Sequence, residues 1–93
     1  MDIQSVIGWN VAQLRKDAEL SQEELALRIE VVAQTYVSNL EAGRCNPTAV
    51  TLYLIAKALA VPVGALFTTE GVPSGLVDGP LKIRSSRSGK RTI

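Results

Sequence analysis

Ser21-Gln22-Glu23-Glu24-Leu25-Ala26-Leu27-Arg28-Ile29-Glu30 and, beyond Val31-Val32, Ala33-Gln34-Thr35-Tyr36-Val37-Ser38-Asn39-Leu40-Glu41-Ala42-Gly43 form the stretch that decides the fold. Ser21 and Glu24 have the spacing of a capping box, in which each side chain bonds the other residue's backbone amide. Leu20 and Leu25 stand where a hydrophobic staple would close over that cap. Leu25, Ala26 and Ile29 then repeat at helical spacing, which predicts a helix of about two turns ending near Glu30. A turn around Val31-Val32 leads into a second helix over residues 33–42. Its Val37 and Leu40 face inward, while Gln34, Thr35, Ser38 and Asn39 face outward. Gly43 ends it, because glycine accepts the left-handed backbone that commonly terminates a helix.

The rest of the chain builds around this pair. Ile3, Val6, Ile7, Val11 and Leu14 predict a first helix to Asp17, with Gly8 a tolerable weakness inside it. After the loop Arg44-Cys45-Asn46-Pro47, Thr48 caps a fourth helix running to Leu59 or Ala60. Val50, Leu54, Ile55, Ala58 and Leu59 are its expected buried face. Pro62 introduces a short fifth helix over residues 63–67, with Leu66 and Phe67 closing the core. From Thr68 the composition changes, as Gly71, Pro73, Gly75, Gly79 and Pro80 are expected to break any helix. Leu81-Lys82-Ile83-Arg84 alternates apolar and basic residues, as a short strand would. The run 85–91 reads as unstructured. The expected organisation is one domain over residues 1–69 and a basic, Gly/Pro/Ser-rich tail over residues 70–93.

Composition excludes much. Ninety-three residues suffice for one domain, and 46% hydrophobic residues supply a core. Trp9, Tyr36, Tyr53 and Phe67 are the only aromatics, so that core is mostly aliphatic and suits a compact all-α fold. Histidine is absent, which removes the commonest general base and metal ligand together. Cys45 is the single cysteine, so neither an internal disulfide nor a multi-cysteine metal site can form. No catalytic residues, metal or cofactor are expected. No apolar run approaches the ~20 residues that cross a bilayer, and Met1-Asp2-Ile3-Gln4 does not open like a signal peptide. A cytoplasmic protein is expected.

The net charge of +1 hides an asymmetry. Residues 1–69 carry Arg15, Lys16, Arg28, Arg44 and Lys57 against Asp2, Asp17, Glu19, Glu23, Glu24, Glu30 and Glu41, a net of −2. Residues 70–93 carry Lys82, Arg84, Arg87, Lys90 and Arg91 against Glu70 and Asp78, a net of +3. The tail is basic and the compact part is not.

Two short helices joined by a tight turn, the second presenting compact hydrogen-bonding side chains, describe a helix-turn-helix. Such a helix fits the DNA major groove, where residues near its N-terminus meet base edges. The ordered set Ile7-Gly8, Leu14-Arg15, Leu20 to Ala26, Val37-Ser38, Leu40 to Gly43, Asn46-Pro47 and Leu52 to Val61 resembles the phage repressor and Cro family, the XRE-like helix-turn-helix regulators. The resemblance spans Ile7 to Phe67, about two thirds of the chain.

That resemblance implies a five-helix, lambda-repressor-like DNA-binding domain acting as a dimer on operator DNA, most often as a transcriptional repressor. It implies that Gln22 touches a phosphate and braces Gln34, whose amide pairs with adenine. Thr35 and Asn39 match further base-facing positions, and Ala33 and Ser38 belong to the same DNA-binding surface. Arg44 matches a phosphate contact. Tyr36 has two readings, a phosphate contact or packing at the groove edge. Arg15 and Glu41 match a buried salt bridge between the first and third helices. The fourth and fifth helices, with Val63 and Leu66, match a dimer surface, for which residues 81–84 are an alternative.

Two departures stand out. The family places glycine where this chain has Glu30, and the interval from Leu25 to Gly43 is one residue longer than the common pattern. The extra residue falls within 29–33 and would re-aim the recognition helix, weakening the Gln22–Gln34 brace. The acidic body is poorly suited to phosphates, whose neutralisation supplies most nonspecific affinity. Both features favour a second reading, a protein-interaction module of the same fold that binds another regulator, such as an antitoxin or antirepressor.

Overall fold

The computed structural model describes residues 1–83, and residues 84–93 are not described. Among the described residues the chain forms α1 (Ile3–Asp17), α2 (Gln22–Ile29), α3 (Gln34–Glu41), α4 (Ala49–Leu59), a 3₁₀ turn (Val63–Leu66) and α5 (Ser74–Val77). No strand occurs among them. Leu81, Lys82 and Ile83 belong to no ladder, and Arg84 lies outside the described residues, as does the 85–91 run. No helix described is long and apolar enough to cross a membrane.

Local chemistry sets the helix boundaries. The Asp2 side chain accepts from the Ser5 amide and starts α1. Ser21 Oγ accepts from the Glu24 amide at 3.0 Å, while the Ser21 amide donates to Glu24 Oε1 at 2.7 Å, completing the capping box of α2. Those bonds hold the Glu24 carboxyl below its ordinary pKa, the bond from the Ser21 backbone foremost. Thr48 Oγ1 accepts from the Thr51 amide at 3.1 Å and opens α4.

Val6, Val11, Leu25, Val37, Leu40, Ile55 and Leu66 are fully buried and knit the helices into one aliphatic core. Val50 departs from expectation. It is 68% exposed, because α4 is apolar nearly all round and its core face is set by Ile55, Ala56 and Leu59 instead. The expected fifth helix is the 3₁₀ turn, whose Leu66 is 0% exposed while Phe67 is 40% exposed. Leu66 therefore closes the core and has no surface to offer a partner, whereas Phe67 has. Asn10, buried on α1, donates its amide to the carbonyls of Leu66 and Thr68, each at 2.9 Å. This polar clamp docks the 3₁₀ turn on α1.

The glycines and prolines after Thr68 do not exclude helix. Pro73 leads into the single turn α5, and Val72 is buried. The Asp2 amide donates to the Leu76 carbonyl and the Lys82 amide to the Met1 carbonyl, both at 2.7 Å. Residues 72–82 are thereby held at the N-terminal end of α1.

Gly8 does more than α1 periodicity suggests. A β-carbon there would run into the Leu40 carbonyl oxygen and would lie 2.9 Å from that of Glu41. Only a bare backbone lets α1 and the end of α3 come this close. Gly43 (φ +76°) backs onto Ser5 in the same region. By contrast, Glu30 carries φ +74° at the end of α2 with a full side chain, a conformation that strains L-residues.

Gly8→Ala is expected to lower stability by about 1–3 kcal/mol, the usual cost of overpacking against atoms that cannot yield. Glu30→Gly is expected to raise it by up to ~1 kcal/mol by relieving the left-handed penalty. Denaturant unfolding monitored by circular dichroism measures both; a stability loss in Glu30→Gly would contradict the strain at that turn.

Candidate nucleic-acid interface

The side chains that matter here lie on three helices and are joined by one run of hydrogen bonds. Arg15, near the end of α1, donates through Nε to Glu41 Oε2 at 2.6 Å and through Nη2 to Glu41 Oε1 at 3.0 Å. Its Nη1 donates to the Leu20 carbonyl at 2.8 Å, tying the α1–α2 loop to the same guanidinium. Only 12% of the Arg15 side chain and 8% of Glu41 remain exposed, so water screens the pair weakly. The bond to Glu41 pushes the Arg15 guanidinium upward from its already high pKa, against a smaller opposing effect of burial.

Glu41 then reaches α2. Gln22 Nε2 donates to Glu41 Oε1 at 2.9 Å, and Gln34 Nε2 donates to Gln22 Oε1 at 3.2 Å. The direction of these bonds follows from chemistry. An ionised carboxylate only accepts, so the Gln22 amide must turn its nitrogen to Glu41 and its oxygen to Gln34. Gln34 is left with its carbonyl oxygen and one amide hydrogen for another partner. That is the pattern that pairs bidentately with N6 and N7 of adenine. The atypical turn around Glu30 thus does not separate Gln22 from Gln34.

Gln34, Thr35 and Asn39 are exposed on α3, with Ser38 half-buried beside them. Ala33, also exposed, is the N-cap residue of α3 and supplies no side-chain cap bond. Arg44 Nη1 donates to Asn39 Oδ1 at 3.4 Å, a long bond between exposed groups that a stronger acceptor can take over. Tyr36 stands apart from this row. It is half-buried against the core, and its hydroxyl interacts with Cys45 and Thr51. Burial, reinforced by Cys45, pushes its pKa up to about 12. Burial also pushes the Cys45 thiol up, which leaves it the unreactive thiol form. Among the described residues no cluster of acids and cysteine could hold a metal ion.

Sequence reasoning missed Asn10, which docks the 3₁₀ turn, and saw only part of what Gly8 and Gly43 do. Gly8 and Gly43 admit backbone contacts that become visible only when the partner segments are in place. Asn10 was a polar interruption of the apolar face of α1, and that irregularity was its signal.

The helix-turn-helix family profile matches residues 11–66. An HTH-type transcriptional regulator of Sinorhizobium fredii, y4dJ, is 45% identical over 76 residues, covering 81% of this chain and 97% of that protein. The control protein C.SmaI of Serratia marcescens is 39% identical over 72 residues, covering 77% of this chain and 84% of its own. Among solved structures, the restriction-modification controller protein C.AhdI of Aeromonas hydrophila superposes with a TM-score of 0.66 at 31% identity, over 69% of this chain and 91% of that one. The matched region contains α2, α3 and the whole relay from Arg15 to Gln34, and the chain belongs to the helix-turn-helix family of DNA-binding transcriptional regulators.

Proposed function

We propose that this DNA-binding regulator reads operator duplex DNA with α3, binds as a two-fold dimer, and acts as a repressor. The observation that carries the reading is the relay that presents Gln34 with a defined hydrogen-bonding face. Thr35 and Asn39 extend that face along the helix, and Arg44 is placed to exchange Asn39 for a phosphate. Gln22, Ala33 and Ser38 complete the surface, while Tyr36 supports it from behind. Recognition belongs to the residue 1–69 domain. A two-fold dimer would place its reading helices one DNA turn apart, about 34–36 Å. Val50 and Tyr53 on α4, with Val63 and Phe67 at the 3₁₀ turn, are exposed apolar side chains suited to that contact.

A second reading, a protein-binding module of the same fold, draws on Leu27 and Val31. These apolar side chains are 70% and 69% exposed at the end of α2 and the following turn. Fluorescence anisotropy with random-sequence duplex at low salt separates the two. Absence of binding by protein that circular dichroism shows to be folded would exclude the DNA reading.

Gln34→Ala and Asn39→Ala are each expected to weaken binding to a selected site by about 1–3 kcal/mol and to relax preference at one base position. Their melting temperatures should match the parent protein. Arg15→Met is expected to behave oppositely. It strands the Glu41 carboxylate and should lower stability by about 3–5 kcal/mol, reading out as unfolding before any change of specificity.

A further inference from the structure

An open cleft of about 420 Å³ lies between α2 and α4, lined by Arg28, Ile29, Glu30, Leu54, Lys57 and Ala58. Its volume falls in the range of small-molecule sites. The floor is apolar, since Ile29 is buried and Leu54 and Ala58 are half-buried. The rim is charged. Arg28 is exposed on α2, Lys57 is exposed on α4, and Glu30 is exposed where α2 ends.

The two cations are not used within the body. Arg15–Glu41 is the only ion pair among the described residues, so no described carboxylate comes within 4.0 Å of Arg28 or Lys57. Glu24 feels the charge of Arg28, but its carboxyl is held by Ser21 in the cap of α2. Glu30 shares the cleft and pairs with neither cation. Two positive charges and one negative charge therefore stand over an apolar floor, a balance of one positive charge. A neutral apolar molecule would leave both cations idle, and a polyanion would meet Glu30. The complementary occupant has a single negative head on a short apolar body.

Both cations also stand away from the surface that α3 presents. Arg28 lies six residues beyond Gln22, about 9 Å along α2. Lys57 lies nine residues beyond Thr48, about 13 Å from the end of α4 nearest Arg44.

We propose that this cleft binds a small amphipathic monocarboxylate, with its head between Arg28 and Lys57 and its apolar body on Ile29, Leu54 and Ala58. The site is separate from the α3 surface and does not depend on what α3 reads.

The test titrates sodium octanoate into the full chain and follows the backbone amides by nuclear magnetic resonance. Octanoate should shift the amides of residues 28–30 and 54–58 saturably. Octylammonium and 1-octanol carry the same apolar body without the anionic head, and should bind about tenfold more weakly or worse. Equal shifts from all three probes, or no saturable shift, would overturn the proposal. So would octanoate shifts centred on the exposed Val50, Tyr53, Val63 and Phe67, which would mean adsorption to any apolar surface. These outcomes need no variant. In R28Q/K57Q, both changes are at exposed positions, so melting followed by circular dichroism should match the parent protein. Its octanoate affinity should fall about tenfold or more, and retained affinity would count against the site. The same variant distinguishes a role toward DNA. Its slope of log K against log salt with random-sequence duplex should equal that of the parent. A fall of about 0.9 or more per bound chain, the mark of a lost phosphate contact, would reassign the two cations to DNA and overturn the proposal.

Discussion

One carboxylate organises the recognition half of this protein. Glu41 accepts two bonds from Arg15 and one from Gln22, so a single side chain on α3 fixes α1, the following loop and α2 around it. Because it only accepts, it also orders the amides beyond it. Orientation passes from a fixed charge through Gln22 to Gln34. A neutral hydrogen-bonded core could hold the helices equally close, but it would leave the amides able to turn over. The charge makes the difference between a polar surface and a surface with a defined donor and acceptor order.

Much of this fold was legible in the sequence because its signals are local. The capping box at Ser21 and Glu24, the cap at Thr48 and the stop at Gly43 each involve residues within a few positions, where chemistry and spacing leave few alternatives. Val50 was misjudged because α4 is apolar on several sides, and periodicity cannot select a core face when every face qualifies. Gly8 read as a weakness, since its meaning depends on carbonyls of α3 far along the chain. The segment after Thr68 looked helix-breaking by composition. Its order comes from Val72 and from backbone bonds to residues 1 and 2, which composition does not record.

The candidate interface divides the same way. That Gln34, Thr35 and Asn39 face outward follows from helical spacing, but that Gln34 and Gln22 meet does not, since the intervening turn is irregular and one residue long by family standards. The structure absorbs the irregularity at Glu30, whose left-handed backbone does the work usually given to glycine. Tyr36 shows the reverse. Its position in the sequence places it among the outward residues, yet its hydroxyl is drawn toward Cys45 and Thr51.

The close approach at Gly8 makes α3 a cantilever. Its far end is built into the wall of the body, where the Leu40 and Glu41 carbonyls lie against bare α1 backbone and have no room to shift. Its near end is anchored one turn back by Val37 in the core, and the Gln34 side chain at the tip is tied by an exposed 3.2 Å amide bond to Gln22. A beam fixed at one end deflects most at the other. Under the proposed reading, adjustment to a misaligned or bent groove falls first on the Gln34 side chain at the tip, while the body keeps its shape.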